Sequence, residues 1–393
     1  MLEEMVTNLP AEARAKWIKV MEARTIEEKI RALEEFLSAV PKHKGTANLR
    51  LWATRRLAEL REELEERKRK RGGRGVSFFV EKEGAAQIVV IGLPNSGKST
   101  LVKQLTGTRT RIADYPFSTN RPVPGMLRYQ DIYFQLVDTP PLRPGGGPWN
   151  NRVIGLVRNS DAVIIVLNNE NDPLKDYLLI KSELEKSGIL LYKPQGRVVI
   201  EKERAGKTGI RVTLMGKIID GTIDDVRKIM ESYRVYNAHI KIYGIVTLDD
   251  VEQALFESKV YKPSVIVINK ADLNIEKAKV KAYEIHKLDP SAPIIIGSAK
   301  LNKGFEQLGE ILFKLLGIIR VYTKQPNGPI ADKPLILREG ATIYDVARSI
   351  HKDFVKKFKY AKIWGPSAKY PGERAGLDHI VMDGDIVEIH VKG

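Results

Sequence analysis

One stretch of the sequence has the residue types and the spacing of a phosphate-binding loop. Residues 92–100 read GLPNSGKST and follow the apolar run QIVVI, which predicts a strand, a glycine-rich turn and a helix. In such a turn, successive backbone N–H groups bind phosphate oxygens at the helix N-terminus, which a chance turn with a lysine would not do. Lys98 is expected to neutralise the β- and γ-phosphates, and Ser99 to hold Mg²⁺. The predicted phosphate-binding residues are Gly92, Pro94, Asn95, Ser96, Gly97, Lys98, Ser99 and Thr100.

Two later apolar runs end in polar residues that could select a base. The run 264–272 reads SVIVINKAD, the run 293–300 reads PIIIGSAK, and both are predicted to end at the ligand-binding edge of a parallel sheet. The Asp272 carboxylate can accept two hydrogen bonds from guanine N1–H and N2–H₂, a donor pair that adenine lacks. Lys270 can lie along the base, and the backbone N–H near Ala299 can meet guanine O6. The sequence therefore favours GTP over ATP, and the predicted guanine-binding residues are Asn269, Lys270, Asp272, Ser298, Ala299 and Lys300.

The elements that position these motifs divide into four predicted parts. Roughly 95 residues separate the strand at 161–168 from the strand at about 264, whereas a strand–helix–strand unit needs about 30. The surplus predicts an inserted domain, in which the segment 206–209 (GKTG) is interpreted as a hairpin turn. The fold class is therefore α/β. Its predicted parts are a helical N-terminal region with a basic linker at 1–86, a nucleotide-binding P-loop domain with a parallel sheet at 87–173 and 249–317, an α+β insert at 174–248, and a β-grasp-like domain at 318–393.

Composition limits the environment and the partners. The 393 residues include no cysteine, which excludes disulfides and thiolate metal sites and fits a reducing cytosol. The N-terminus opens MLEEMV, which does not resemble a secretory signal, and no apolar run approaches the roughly 18 residues of a membrane span. We therefore expect a cytoplasmic protein without a membrane partner. The net charge of +16 predicts a polyanionic partner beyond the nucleotide, most simply RNA.

The C-terminal part concentrates lysines near aromatic residues. Trp364, Tyr360 and Tyr370 lie among them in the sequence, a mixture that suits a nucleic-acid surface. The equally weighted alternative is one or two core aromatics with solvated lysines around them. The predicted RNA-contact residues are Lys356, Lys357, Lys359 and Lys362.

With these features in order, the chain resembles the Obg-like GTPases, and most closely the developmentally regulated GTP-binding (DRG) branch. The segment 113–125 (ADYPFSTNRPVPG) is the most specific local signal, and the C-terminal sequences KFKYAKIWG and GLDHIVMDGDIVEI are similar to a TGS domain. The resemblance covers nearly the whole chain. It implies a P-loop GTPase that uses Mg²⁺, hydrolyses GTP to GDP and phosphate, and couples its nucleotide state to association with the ribosome or RNA, with a regulatory protein as a further partner.

The same resemblance assigns roles to individual residues. Thr119 is the expected switch threonine, which closes on Mg²⁺ and the γ-phosphate, and Asp138 is an outer-shell partner of Mg²⁺. Asn95 is similar to the asparagine with which related GTPases hold K⁺, with a loop-stabilising side chain as the alternative. The expected catalytic residues are thus Thr119, Asn95 and Lys98, and the expected metal ligands are Ser99, Thr119 and Asp138.

The chain departs from the family pattern after Asp138. Pro141 stands where a glycine N–H normally donates to the γ-phosphate, and proline has no N–H. Leu142 stands where many GTPases have the glutamine that orients the attacking water. Hydrolysis is therefore expected to be slow or dependent on a partner. Two alternatives stay open at this point: a GTP-binding scaffold with negligible turnover, and an ATPase of the Obg-related group.

Overall fold

A computed structural model describes most of the chain: residues 9–23, 25–41, 47–70, 78, 80–107, 122–143, 148–202, 209–233, 235–256, 259–326 and 328–392. The chain separates into two compact units. The first unit comprises residues 1–78, 142–158 and 177–262, and the second comprises residues 79–141, 159–176 and 263–393.

The helices of the described residues are α1 (Ala11–Glu22), α2 (Ile26–Ala39), α3 (Ala47–Lys70), α4 (Lys98–Thr106), α5 (Pro148–Asn159), α6 (Pro173–Glu185), α7 (Ile223–Ser232), α8 (Leu248–Phe256), α9 (Ile275–Leu288), α10 (Leu308–Leu316), α11 (Ile343–Ile350) and α12 (Lys352–Lys356). The strands are β1 (Ala86–Gly92), β2 (Val123–Tyr129), β3 (Ile132–Asp138), β4 (Ala162–Asn168), β5 (Ile189–Leu190), β6 (Gly196–Lys202), β7 (Ile210–Ile218), β8 (Ala238–Val246), β9 (Val260–Tyr261), β10 (Ser264–Asn269), β11 (Ile294–Ile296), β12 (Ile318–Lys324), β13 (Leu335–Arg338), β14 (Phe358–Trp364), β15 (Glu373–Ala375) and β16 (Asp385–Val391).

A six-stranded sheet forms the centre of the second unit. Its order is β11-β10-β4-β1-β3-β2, with only β2 antiparallel to its neighbour. Strands β1, β4 and β10 are runs of Val and Ile that are buried along their whole length, as a parallel sheet covered on both faces requires. Because the parallel strands end at one edge, Gly92, Asn168 and Asn269 lie at that edge. The predicted α/β fold with a parallel sheet is confirmed.

The C-terminal part of the second unit is a separate five-stranded sheet with its own core. The strand order is β13-β12-β16-β14-β15, and α11 packs on it through Ile343 and Val346, which are buried with Val321 and Ile363. Thr342 begins α11 with a capping box to Asp345. Strands that bracket a helix in this way give the predicted β-grasp arrangement.

Arg320 connects the two sheets of the second unit. Its Nη1 donates to Asp131 Oδ1 at 2.9 Å in the turn between β2 and β3, and its Nη2 donates to Asp383 Oδ2 at 2.7 Å before β16. Tyr322 also hydrogen-bonds Asp131. Although burial alone would raise it, the pKa of Asp131 is held below its usual value by the bonds from Tyr322 and Arg320.

In the first unit, the N-terminal helices and the inserted α+β region share one hydrophobic core. Trp17 and Phe36 from α1 and α2 belong to the same buried cluster as Ile229 from α7, Ile240 from β8 and Val251 from α8. Thr25 caps α2 through a reciprocal pair of bonds with Glu28.

The inserted region contains a three-stranded sheet of order β6-β8-β7. Strand β8 lies between the other two, antiparallel to β6 and parallel to β7. The interpretation of 206–209 as a hairpin turn is therefore wrong, because the strands on either side of this segment do not pair. Residues 206–208 themselves lie outside the described residues.

Helix α8 packs into the core of the inserted region through Val251, although the predicted boundary placed residues from 249 in the nucleotide-binding domain. The four domain boundaries remain predictions. Within the described residues, no helix has the length and apolar character that crossing a bilayer requires.

Candidate nucleotide-binding site

The loop between β1 and α4 has the backbone shape of a phosphate cradle. Asn95 and Gly97 have φ values of 62° and 85°, in the left-handed region, and α4 begins directly after Gly97. A Cβ atom at Gly97 would lie 2.3 Å from Asn269 Nδ2, and one at Gly92 would lie 2.5 Å from Val166 O. Both glycines are therefore required by close approach, and at Gly97 also by the positive φ. The loop leaves the first turn of α4 free to present its N–H groups to an anion.

Asn269 joins the phosphate loop to both predicted base-recognition segments. Its Nδ2 donates to Ser96 O at 2.9 Å, and its Oδ1 accepts from Ala299 N at 2.9 Å. The side chain is buried and both of its polar atoms are used within the protein. The structure thus places three segments, far apart in sequence, around one amide.

Asp272 is positioned to accept hydrogen bonds from a ligand. It lies in a single 3-10 turn, Ala271–Leu273, directly after β10, and its side chain is exposed. Among the described residues, none hydrogen-bonds its carboxylate. The turn is fixed from both sides, since Lys270 has φ 61° and Asn169 Nδ2 donates to Asn274 O at 2.8 Å.

Sequence reasoning missed Glu170 as a neighbour of this site. Its carboxylate forms an ion pair with Lys270, and Asn168 Nδ2 donates to it at 3.3 Å. The bond from Lys270, followed by that from Asn168, lowers the pKa of Glu170. The signal was available in the sequence NNEND, which follows the buried strand β4 and so begins at the same sheet edge.

The segment after β11 is a tight loop. Ser298 and Lys303 exchange backbone hydrogen bonds of 3.0 and 3.2 Å, and Leu301 N donates to Ser298 Oγ at 3.3 Å. The prediction is that a backbone N–H near Ala299 meets guanine O6, and the N–H of Ala299 itself already donates to Asn269. Lys300, the next residue, is exposed, and its N–H donates to no group among the described residues. It is therefore the nearest backbone donor along the chain for the contact with guanine O6.

Lys98 is a buried cation inside the cradle. Its side-chain Nζ donates to Leu93 O at 3.3 Å, and only 6% of the residue is exposed. Burial lowers the pKa of Lys98 to about 8, and the charge of Asp138 offsets part of this effect. A phosphate oxygen would add a counter-charge to that of Asp138.

Asp138 and Ser99 provide oxygen donors that fit Mg²⁺. Asp138 Oδ1 is buried without a hydrogen-bond partner among the described residues. Burial raises the pKa of Asp138, while the nearby Ser99 hydroxyl and then the charge of Lys98 act in the opposite direction. An unsatisfied buried carboxylate oxygen beside a hydroxyl is the donor chemistry that Mg²⁺ prefers.

Not all of the predicted catalytic residues can be placed. Thr119 lies in 108–121, which is outside the described residues. Leu142 is 1% exposed and belongs to the core. Because its side chain is a hydrocarbon, it has no polar group with which to orient a water molecule. Arg143, the next residue, is held by Asn150, which sequence reasoning missed: Asn150 Oδ1 accepts from Arg143 N at 3.0 Å, and Nδ2 donates to Arg143 O at 2.9 Å.

The predicted RNA-contact lysines differ in their surroundings. Lys356, Lys357 and Lys359 are exposed, whereas Lys362 is half-buried and lies 3.9 Å from the buried Glu388. The neighbouring aromatic rings already contact other side chains of the protein. Tyr360 stacks on His390 with ring centroids 4.4 Å apart, and Lys324 lies 4.8 Å from the centre of the Trp364 ring.

Comparison with known protein families assigns most of the chain. Residues 87–195 match a family described as a 50S ribosome-binding GTPase, residues 207–318 match the C-terminal region of the same GTPase domain, and residues 319–391 match the TGS domain. Together with the geometry of the phosphate loop, these matches define the class as a P-loop GTP-binding protein.

Several relatives are similar over nearly their whole length. A GTP-binding protein of Methanocaldococcus jannaschii is 35% identical over 372 residues, which are 93% of each chain. The Ribosome-interacting GTPase 1 of Saccharomyces cerevisiae is 33% identical over 94% of this chain and 100% of its own. The Developmentally-regulated GTP-binding protein 1 of Xenopus laevis is 34% identical over 93% of this chain and 98% of its own. The chain belongs to the Obg-like, TGS-domain-containing family of GTPases.

Among solved structures, that of the Schizosaccharomyces pombe YchF GTPase covers 80% of this chain with a TM-score of 0.47 and 17% identity. This similarity is too distant to add to the family assignment.

Proposed function

We propose that this protein binds GTP, hydrolyses it slowly or on activation by a partner, and uses its nucleotide state to control association with the ribosome or RNA in the cytoplasm. The observation that supports GTP most directly is the arrangement around Asn269. Its amide connects the Ser96 carbonyl of the phosphate loop with Ala299, while Asp272 stays exposed next to it. Phosphate and guanine recognition would thus be parts of one rigid assembly.

Different residues of the site are proposed to bind the phosphates, Mg²⁺ and K⁺. The N–H groups of the loop and the Lys98 ammonium would bind the phosphates, and Lys98 would favour the charge that develops during phosphoryl transfer. Ser99, Asp138 and Thr119 would hold Mg²⁺, which supplies further neutralisation of the phosphate charge when bound. Asn95, whose side chain is exposed in the loop, remains a proposed K⁺ contact.

Slow hydrolysis follows from two residues. Pro141 has no N–H to donate to the γ-phosphate, and Leu142 is buried and apolar. Neither can orient a water molecule, so Thr119 or a partner would have to do so. The same two residues favour the second candidate, a GTP-binding scaffold with negligible turnover.

A single-turnover assay separates the two candidates. We expect purified protein in K⁺ to release phosphate from GTP slowly, and to release it faster in the presence of ribosomes. Release that is undetectable in K⁺, in Na⁺ and with ribosomes would leave the scaffold as the function.

Ribosome or RNA association is proposed from two observations. The S. cerevisiae relative is named a ribosome-interacting GTPase, and the chain carries a net charge of +16. Cosedimentation with ribosomes in the GTP-analogue and GDP states tests the coupling. Equal association in both states would contradict it.

Guanine selectivity is tested by Asp272→Asn. An amide at this position offers a donor that matches the C2 carbonyl of xanthine, and it loses one acceptor for guanine. We expect GDP affinity to fall at least tenfold and XDP to bind better than GDP, as measured by displacement of a fluorescent nucleotide. Wild-type protein that binds ADP and GDP equally would instead contradict the guanine assignment.

A further inference from the structure

The three-stranded sheet β6-β8-β7 has one covered face and one open face. Val198, Ile240 and Val212 point from its three strands into the core that the inserted region shares with the N-terminal helices. Side chains alternate along a strand, so the residues between these point to the opposite face. That opposite face, called here the outer face, includes Arg197, Arg211, Met215, Lys217, Lys241 and Tyr243.

Tyr243 lies at the centre of the outer face. In the register of the sheet it is opposite Arg197 on β6 and Met215 on β7. The Arg197 guanidinium carbon lies 5.9 Å from the centre of the Tyr243 ring. Tyr243 is 38% exposed and Met215 is 48% exposed, so a flat polarizable surface in the middle of the sheet faces solvent.

Positive charge surrounds this ring. Arg197, Arg211, Lys217 and Lys241 are the cations of the outer face, and Glu201, 2.8 Å from Lys241, is its one carboxylate among the described positions of the three strands. Lys241 is paired with Glu201, whereas Arg197 and Lys217 have no carboxylate partner among the described residues. A second copy of the chain is a poor occupant, because a symmetric pairing would place these cations against one another.

We propose that the outer face binds single-stranded RNA, with a base stacked on Tyr243 and phosphates held by Arg197 and Lys217. An exposed aromatic ring on a sheet, flanked by cations on the neighbouring strands, provides stacking and phosphate neutralisation at adjacent positions. Bases in a duplex already stack on one another, so the ring favours unpaired nucleotides. This site deepens the RNA association proposed above and is distinct from the lysines of the TGS domain.

The test uses the full chain saturated with GDP and a labelled single-stranded RNA of mixed sequence, followed by fluorescence anisotropy. We expect Tyr243→Ala to weaken binding about tenfold or more, and Tyr243→Phe to retain it, because phenylalanine keeps the stacking surface. Tyr236→Ala is the matched control, since Tyr236 is 58% exposed but lies before β8 and outside the outer face. It should bind RNA like the wild type.

Charge is tested separately. Replacing Arg197 and Lys217 together with alanine should reduce the slope of log affinity against log salt concentration by about 1.4, as the loss of two phosphate contacts on a single strand predicts. GDP affinity, measured on every variant, shows whether the nucleotide site is intact. The triple replacement of Lys356, Lys357 and Lys359 shows how much RNA binding belongs to the TGS domain.

Several results would overturn the proposal. Wild-type affinity in both the Tyr243→Ala and the charge variants would place RNA elsewhere, and equal affinity for duplex RNA would exclude stacking. Sedimentation that shows a dimer lost in Met215→Ala would assign the face to a second copy. If the wild-type protein neither hydrolyses GTP nor associates with ribosomes but still binds RNA through Tyr243, the proposed function is contradicted and the RNA site on the outer face is supported.

Discussion

At the scale of one residue, the buried Lys98 lowers the stability of the nucleotide-free protein and is proposed to strengthen phosphate binding. Its ammonium is buried in the cradle, and burial lowers its pKa from 10.5 to about 8. The folded protein therefore holds this proton less tightly than the unfolded chain does. A bound phosphate would reverse the difference, so the residue that lowers the stability of the nucleotide-free protein would strengthen the complex.

This reasoning predicts a pH dependence with a definite sign. Between about pH 8 and pH 10.5 the unfolded chain binds more protons at Lys98, so the stability of the nucleotide-free protein gains from this residue as pH rises. We expect a contribution of about 1 kcal/mol between pH 7 and pH 9. It should be absent in Lys98→Met, which should also bind GDP at least tenfold more weakly. Urea unfolding of both proteins at the two pH values measures the difference, and an identical rise in both would contradict it.

The sequence predicted which residues form the phosphate loop and the turn after β10, because each motif has a fixed spacing next to a buried strand. Glu170 and Asn150 were missed for a physical reason. Their roles depend on Lys270, a hundred residues along the chain, and on a loop carbonyl at Arg143. The polar run NNEND marks the sheet edge, but it does not show that Glu170 pairs with Lys270, and nothing near Asn150 indicates its bonds to Arg143. Thr119 was predicted from resemblance alone, and it stays a prediction.

At the scale of an element, the turn from β1 into α4 depends on the fit of Gly97 against Asn269. The positive φ at Gly97 is available to glycine at little cost, and a Cβ there would displace the amide that holds Ser96 and Ala299. The shape of this turn is therefore coupled to the position of the segments proposed to recognise guanine.

Gly97→Ala should lower the free energy of unfolding by about 1 to 3 kcal/mol and GDP affinity at least tenfold. The matched control is Gly155→Ala in α5, where a Cβ would meet no atom within 4 Å. This change should be neutral or stabilising by up to about 1 kcal/mol. Denaturant unfolding and nucleotide titration of the two variants provide the comparison, and similar effects in both would argue against a special fit at Gly97.

The strands themselves were predicted more reliably than the pairing between them. The Val- and Ile-rich runs of β1, β4 and β10 specify strands that are buried on both faces. Strand pairing in the inserted region could not be predicted in the same way, because β8 lies between β6 and β7 in the sheet but follows both in the chain, beginning at Ala238 after β7 ends at Ile218. Short-range turn residues cannot report a strand inserted from such a distance. Likewise, Phe36 and Val251 belong to one buried core, but the sequence around neither residue predicts that they pack in the same core.

At the scale of the whole molecule, the second unit contains two sheets that Arg320 holds together. The guanidinium bonds Asp131 on the nucleotide-binding side and Asp383 on the TGS side, and its side chain is 16% exposed. The turn at Asp131 joins β2 and β3, and β3 ends at Asp138 in the candidate metal site. Arg320 and Tyr322 of the TGS domain thus contact the hairpin that leads to the candidate metal site.

Arg320→Lys tests this connection. Lysine keeps the charge but cannot bond both carboxylates with a planar fork, so we expect a loss of about 1 to 3 kcal/mol of stability in urea unfolding. Arg227→Lys is the control, because Arg227 pairs with Asp224 on the surface with 45% of its side chain exposed. That change should stay within about 0.5 kcal/mol. Equal effects of the two substitutions would mean that Arg320 does not connect the sheets as proposed.

The shared core of the first unit also sets an order of events during synthesis. Phe36 leaves the ribosome early, while Val251, which completes the same buried cluster, is made some 215 residues later. At about 5 to 20 residues per second, the N-terminal helices wait roughly 10 to 40 s for the surface that covers them. During that interval their aromatic side chains are available to chaperones and to neighbouring nascent chains. Truncation before α8 would make the exposure permanent.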